Sequence, residues 1–234
     1  MVGGMVGKCV IGACIAIFCA APVLGTEGNG TRSIMLSKYV EHNQFPQAKH
    51  ELPSQVQVKE KFDYYEIDGS TTDELRAQMK RNGTAWNDGK VYAALTTWDI
   101  HYHYDITPTN GGYVLSAINT TVDVVIHLPK LVPSAKTPVQ LISTWNSYLQ
   151  HLKTHEFGHR DIAIGIGKDI YQSLAALGSS TSKSELDREA QDLVKAKFKR
   201  LKEDQIAYDQ ETRHGKEQGA VLMDPMVASS EPGV

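Results

Sequence analysis

From Pro138 onward the apolar residues Leu141, Ile142, Trp145, Tyr148, Leu149, Leu152, Ile162, Ala163, Ile166, Ile170 and Leu174 recur every three or four positions. That period belongs to a helix with one buried face. His155, Glu156 and His159 fall on the same stripe, so two imidazoles and a carboxylate turn toward the interior, where they are costly unless paired or coordinated. Whatever fold the chain adopts must supply partners for that face. Thr137 as N-cap with Pro138 at the first helical position gives the start, and Gly178 with the serines after it gives the stop. The helix is long, and Gly158, Gly165 and Gly167 are places where it could bend or divide.

His155-Glu156-Phe157-Gly158-His159 reads H-E-x-x-H. Residues four apart on a helix lie about 5–6 Å apart at Cβ, so both rings can reach one Zn²⁺ while the glutamate leans toward its open side. A bland reading makes the histidines ordinary core residues with Glu156 solvated at the stripe's edge. Two histidines and a glutamate together on a buried stripe favour the metal.

The first 25 residues carry one charge, Lys8, then an apolar run from Cys9 to Ala21 and Pro22. This is the layout of a secretory signal peptide, with cleavage expected after Gly25 or, less well, after Ala20. An anchor left in place is the alternative, but the run is short for a spanning helix of about 20 residues. All three cysteines, Cys9, Cys14 and Cys19, lie within it, so the mature chain has no disulfides and its metal site no thiolates. Loss of Lys8 takes the net charge from −3 to −4. No nucleic-acid partner and no membrane insertion after processing are expected, and the mature chain is read as a secreted or periplasmic monomer. Residues 26–55 read as a loosely structured arm, 56–222 as one domain and 223–234 as a flexible tail.

Between arm and helix the pattern changes to strands. Residues 61–67 form a short β-rich run, and Thr71 to Leu75 opens a short helix ending near Asn82-Gly83. Val91 to Ile106 alternates, with Ala94, Thr96, Trp98, Ile100, Tyr102 and Tyr104 on one face and Asp99, His101, His103 and Asp105 on the other. Asn110-Gly111-Gly112 makes a hairpin turn, and Tyr113 to Leu128 returns until Pro129 ends it. Strands followed by two long helices predict an α+β domain, an antiparallel sheet packed on the H-E-x-x-H helix. His101 and His103 form a rival metal site, although their face reads as solvated. An edge strand beside the zinc would hold an extended peptide by main-chain hydrogen bonds.

The last helix begins with a capping box, Ser182 to Glu185, and runs through Leu186, Ala190, Leu193, Val194, Phe198, Leu201 and Ile206. A catalytic zinc needs a third protein ligand and one open position. His214 is the first choice and Asp209 the second, both in the segment Tyr208 to Gly215.

The string H-E-F-G-H-R-D-I-A, followed about fifty residues later by Y-D-Q-E-T-R-H-G-K-E-Q-G-A, resembles a bacterial family described as predicted secreted zinc-dependent proteases and long filed as a domain of unknown function. The resemblance runs from Tyr64-Tyr65-Glu66-Ile67-Asp68-Gly69 through Trp98, Leu128-Pro129 and Trp145 to Gln218-Gly219. Relatives often carry cysteines in the mature chain, and this one does not. The resemblance implies a zincin-like fold and peptide hydrolysis.

Geometry complicates the third ligand. In a straight antiparallel hairpin about residue 180, Glu203 stands opposite Phe157, and His214 overshoots by eleven residues, or about 16 Å at 1.5 Å per residue. Either the last helix ends near Ile206 and folds back, or a helix kinks at Gly165 and Gly167; otherwise Glu203 or Asp204 is the ligand. The expected mechanism is peptide hydrolysis by zinc-activated water, with zinc on His155, His159 and His214, Glu156 as general base and Tyr208 as candidate oxyanion donor. Asp209 would otherwise orient a ligand from outside. Two other functions stay open: a cell-envelope binding or assembly protein with structural zinc or none, and a zinc amidase acting on peptidoglycan peptides.

Overall fold

The computed structural model describes the backbone of Gly7–Ala16 and residues 56–224. In chain order the elements are β1 (Gly7–Ala16), β2 (Val56–Ile67), α1 (Thr72–Asn82), β3 (Thr84–Ala85), β4 (Val91–Thr109), β5 (Gly112–Leu131), α2 (Val139–Ala175), α3 (Lys183–Thr212) and a 3₁₀ turn (Lys216–Gln218). The arm at 26–55 and the tail beyond Asp224 lie outside the described residues, as does most of the predicted signal segment. Its Gly7–Ala16 part pairs antiparallel with β4, from Gly7 opposite Tyr102 to Ala16 opposite Tyr92.

The domain is α+β, but the sheet is mixed rather than antiparallel. Strand order is β1-β4-β5-β2, with β3 attached to β4. β4 and β5 form a long hairpin turning at Asn110-Gly111, whereas β2 lies parallel to β5 along its whole length. β2 and β5 therefore end together, where the Val132 N–H donates to the Ile67 carbonyl at 2.8 Å. Nearby, the Thr137 hydroxyl donates to the Gly69 carbonyl at 3.1 Å. This brings the starts of α1 and α2 to one end of the sheet. Pro129 does not end β5, which continues to Leu131. Pairing with β4 stops at His127, so Pro129 leaves no donor missing from the β4 ladder.

β4 and β5 present Trp98, Ile100, Val122, Val124, Ile126 and Leu128 to α2, and all six are buried. α2 meets them with Trp145, Leu152, Ala163, Ile166 and Ile170. It is a single helix of 37 residues, undivided by its glycines, and starts one residue later than expected. Gly167 lets it lie directly on Val122, which any Cβ there would strike. α3 returns antiparallel to α2, capped by Ser182, whose side chain accepts from the Glu185 N–H. Its buried stripe passes through Leu201, Gln205, Tyr208 and Thr212 and leaves Ile206 about half exposed.

On the other face of the sheet, His101 Nε2 lies 3.5 Å from both Asp99 and Asp123, and His103 lies 3.5 Å from Asp105. These are part-exposed pairs, and among the described residues no metal-type group gathers there. No helix among the described residues is long and apolar enough to cross a membrane.

Candidate metal centre

His155 and His159 occupy one side of α2, and both are fully buried. Their Nε2 atoms approach each other to 3.1 Å, and Asp209 Oδ1 on α3 stands 3.3 Å from the first and 3.1 Å from the second. Ligands placed tetrahedrally at about 2.0–2.1 Å from one ion lie about 3.3 Å from each other, so the three atoms have the spacing of a zinc site. Among the described residues they are the one such group.

The outer nitrogen of each ring decides what the inner one presents. Gln205 donates its Nε2 to the His159 carbonyl at 3.0 Å, which leaves its Oε1 to accept from His159 Nδ1 at 2.5 Å. His155 is held by a longer circuit. Its Nδ1 donates to Gln218 Oε1 at 2.8 Å, Gln218 Nε2 donates to the Tyr208 hydroxyl at 2.9 Å, and Tyr208 donates to the His155 carbonyl at 3.2 Å. With both Nδ1 protons committed, both Nε2 lone pairs point into the same space as the Asp209 oxygen. Three lone pairs at this separation repel unless a cation lies among them. Without an ion, a proton relieves the same clash: an imidazole Nε2–H donating to Asp209 outweighs the burial that would raise its carboxyl and holds it well below the usual range.

Glu156 is fully buried beside this group. Its Oε2 accepts from the Thr96 hydroxyl at 2.6 Å, and its Oε1 has no hydrogen-bond partner. Burial pushes the carboxyl up to about 7, opposed by His155 and Thr96. A carboxylate taken out of water with one oxygen unsatisfied is poorly placed for structure and well placed for proton transfer.

The residue that the fold brings to the two histidines is Asp209, the second choice, rather than His214. The α2–α3 hairpin turns nearer residue 182 than 180, so His159 faces Gln205 and His155 faces Asp209 and Thr212. α3 does not end at Ile206, and α2 runs unbroken through Gly165 and Gly167; α3 carries Asp209 to the histidines directly. Glu203 and Asp204 instead pair with Lys199 and Arg200. His214 lies outside the three-donor group, its ring 44% exposed and its Nδ1 3.3 Å from Asp209 Oδ1. The chain reverses through three left-handed residues, Arg213, His214 and Gly215. That reversal swings Gln218 back onto His155. Gly215 sits against the His155 ring, where a Cβ would lie 3.1 Å from Cγ.

The hydroxyl of Tyr208 is engaged on both sides within the circuit, and its ring stacks on His155 at 5.0 Å. Burial pushes it up to about 12, so it keeps its proton. The sequence offered it as a candidate oxyanion donor; here its hydroxyl donates to the His155 carbonyl and accepts from Gln218. Gln205 and Gln218 were missed altogether. A signal for the first was present: Gln205 stands four residues after Leu201 and three before Tyr208, an uncharged polar side chain on a buried stripe.

A family profile described as "Bacterial protein of unknown function (DUF922)" matches residues 62–215, well over half of the chain. The chain belongs to the DUF922 family. The DUF922 region includes Thr96, both histidines, Glu156 and Asp209, and stops three residues short of Gln218. No curated protein and no solved structure matches the chain.

Proposed function

We propose that this chain is a secreted zinc-dependent metallopeptidase, with Zn²⁺ held by His155, His159 and Asp209 and with Glu156 as general base. The observation that carries the reading is the pairing of three convergent lone pairs with a buried carboxylate whose Oε1 is unsatisfied. A structural zinc would call for a fourth protein ligand, and the group offers three, leaving one position for water or substrate. Bound there, zinc would supply Lewis acidity and a water whose pKa falls toward about 7.

The residues of the chain do the rest. Gln205 and Gln218 fix the tautomers of the two imidazoles, and Tyr208 fixes the turn of helix that carries His155. Glu156 Oε1 takes a proton from the attacking water as its oxygen bonds to the scissile carbonyl carbon. The same oxygen returns that proton to the departing amine nitrogen as the C–N bond breaks, so the enzyme ends as it began. The dry surroundings of Glu156 favour the neutral carboxyl that must form midway. Export to the periplasm or medium is supported by Lys8 and the apolar run after it.

Glu156→Gln tests the assignment. Zinc stoichiometry should stay near one per chain while hydrolysis of a mixed peptide library falls by about 10²–10⁴-fold. An unchanged rate would overturn the catalytic assignment. Running peptidoglycan peptides beside the library separates a general peptidase from an amidase.

A further inference from the structure

We propose that Thr96 is a positioning residue that selects which oxygen of Glu156 carries the proton, a role resting on the hydrolase reading above. Thr96 lies on β4, opposite Ile126 of β5, with its side chain on the buried face and no exposure. Its single hydroxyl proton has two acceptors in reach, Glu156 Oε2 at 2.6 Å and the Glu156 carbonyl at 3.1 Å. The carboxylate oxygen is nearer and carries charge, so it takes the bond.

A glutamate side chain on a helix otherwise has two equivalent oxygens and a broad terminal torsion. Thr96 removes that equivalence. Oε2 is tied to the sheet, and Oε1 is left buried and unpartnered. The anchor sits on a strand inside a continuous ladder, and β-branching restricts its own χ1. The proton from water therefore goes to Oε1 and leaves from Oε1, while the Thr96 proton stays on Thr96 throughout.

A merely structural threonine would satisfy a buried carboxylate and do no more. The two roles separate in the zinc-loaded full chain with Thr96→Val, Thr96→Ser and Glu156→Gln measured together. Thr96→Val should lower kcat by about 10–100-fold with KM within about twofold, and Thr96→Ser should recover most of the loss. Zinc stoichiometry and the visible spectrum of the cobalt-substituted protein should be the same in all three, since no ligand is touched. An unchanged kcat in Thr96→Val, a Thr96→Ser as slow as Thr96→Val, or a loss confined to KM or metal content would overturn the proposal. If Glu156→Gln abolishes hydrolysis and Thr96→Val does not, only the role of Thr96 fails; if Glu156→Gln leaves hydrolysis intact, the hydrolase reading itself fails. Should Thr96→Val not fold, Thr96→Ala against Thr96→Ser makes the same comparison. Where the wild type cleaves no library peptide, acetohydroxamate is titrated into the cobalt-loaded proteins: about tenfold weaker binding to Thr96→Val but not to Thr96→Ser supports the role, and equal affinity overturns it.

Discussion

Gly158 on α2 lies directly beneath the ring of Tyr208 on α3, so close that a Cβ at residue 158 would overlap the tyrosine hydroxyl and its ring carbon. The second variable position of H-E-x-x-H is thus fixed by packing between helices. Gly158→Ala should gain about 1 kcal/mol in helix propensity and lose about 1–3 kcal/mol to overpacking. Because Tyr208 also closes the hydrogen-bond circuit around His155, the loss should appear as weaker zinc binding as well as a lower melting temperature. A variant that melts higher and binds zinc normally would contradict the close packing.

Asp209 and His214 make opposite predictions about metal. Asp209→Ala removes one of three convergent donors and should abolish stoichiometric zinc at micromolar protein. His214→Ala, outside the group and 44% exposed, should keep close to one zinc per chain. Metal analysis after gel filtration decides, and loss of zinc from His214→Ala would restore that residue as a ligand.

Gln205→Leu and Gln218→Leu leave every donor atom in place but remove the acceptors that hold the Nδ1 protons. Each should weaken zinc affinity by about 10–100-fold, as loss of an outer partner does at other metal sites. Competition against a chromophoric chelator measures this. Gln205→Leu should be the more damaging to stability, because it also frees the buried His159 carbonyl.

The metal-free protein should lose stability as pH rises from about 5 to above 7. The Glu156 carboxyl is raised to about 7 when folded, so across that window the native chain holds a proton that the unfolded chain has released. Stability then falls by up to about 1.4 kcal/mol per pH unit, being fully present below the unfolded value and lost as pH passes through the folded one. Asp209, whose carboxyl is held low, acts in the other direction: its contribution is present above the ordinary aspartate value and disappears in acid. Urea titrations in chelator across this range, with Glu156→Gln beside wild type, should show the upper slope in the parent alone.

Much of this site was legible because helical period is a local property. The stripe through Trp145, Leu152, His155, His159 and Ile166 placed the histidines inside, and the caps at Thr71 and Ser182 were read from two or three residues each. Pairings between distant segments left no such trace. Nothing in the alternation of β2 says whether it lies parallel or antiparallel to β5, since both bury the same side chains. The third donor depended on where the α2–α3 hairpin turns. A displacement of its midpoint from 180 to about 182 moves the facing residue by four positions, one helical turn, from Glu203 to near Ala207, with Asp209 opposite His155. Gln218 could not be reached by period at all, because the three left-handed residues before it break every regular spacing.

Residues 56–224 contain no cysteine, so nothing but packing and whatever ion the centre binds can tie their segments together. His155 and Asp209 are 54 residues apart in sequence and meet at one point. An ion bound between them would join two helices across that span, as a disulfide would. By the chain-entropy estimate for a loop of this length, such a link disfavours the unfolded ensemble by about 4 kcal/mol. Loss of such an ion would unfasten the hairpin and open its long helices to proteolysis, so that the supply of metal would set the lifetime of the protein.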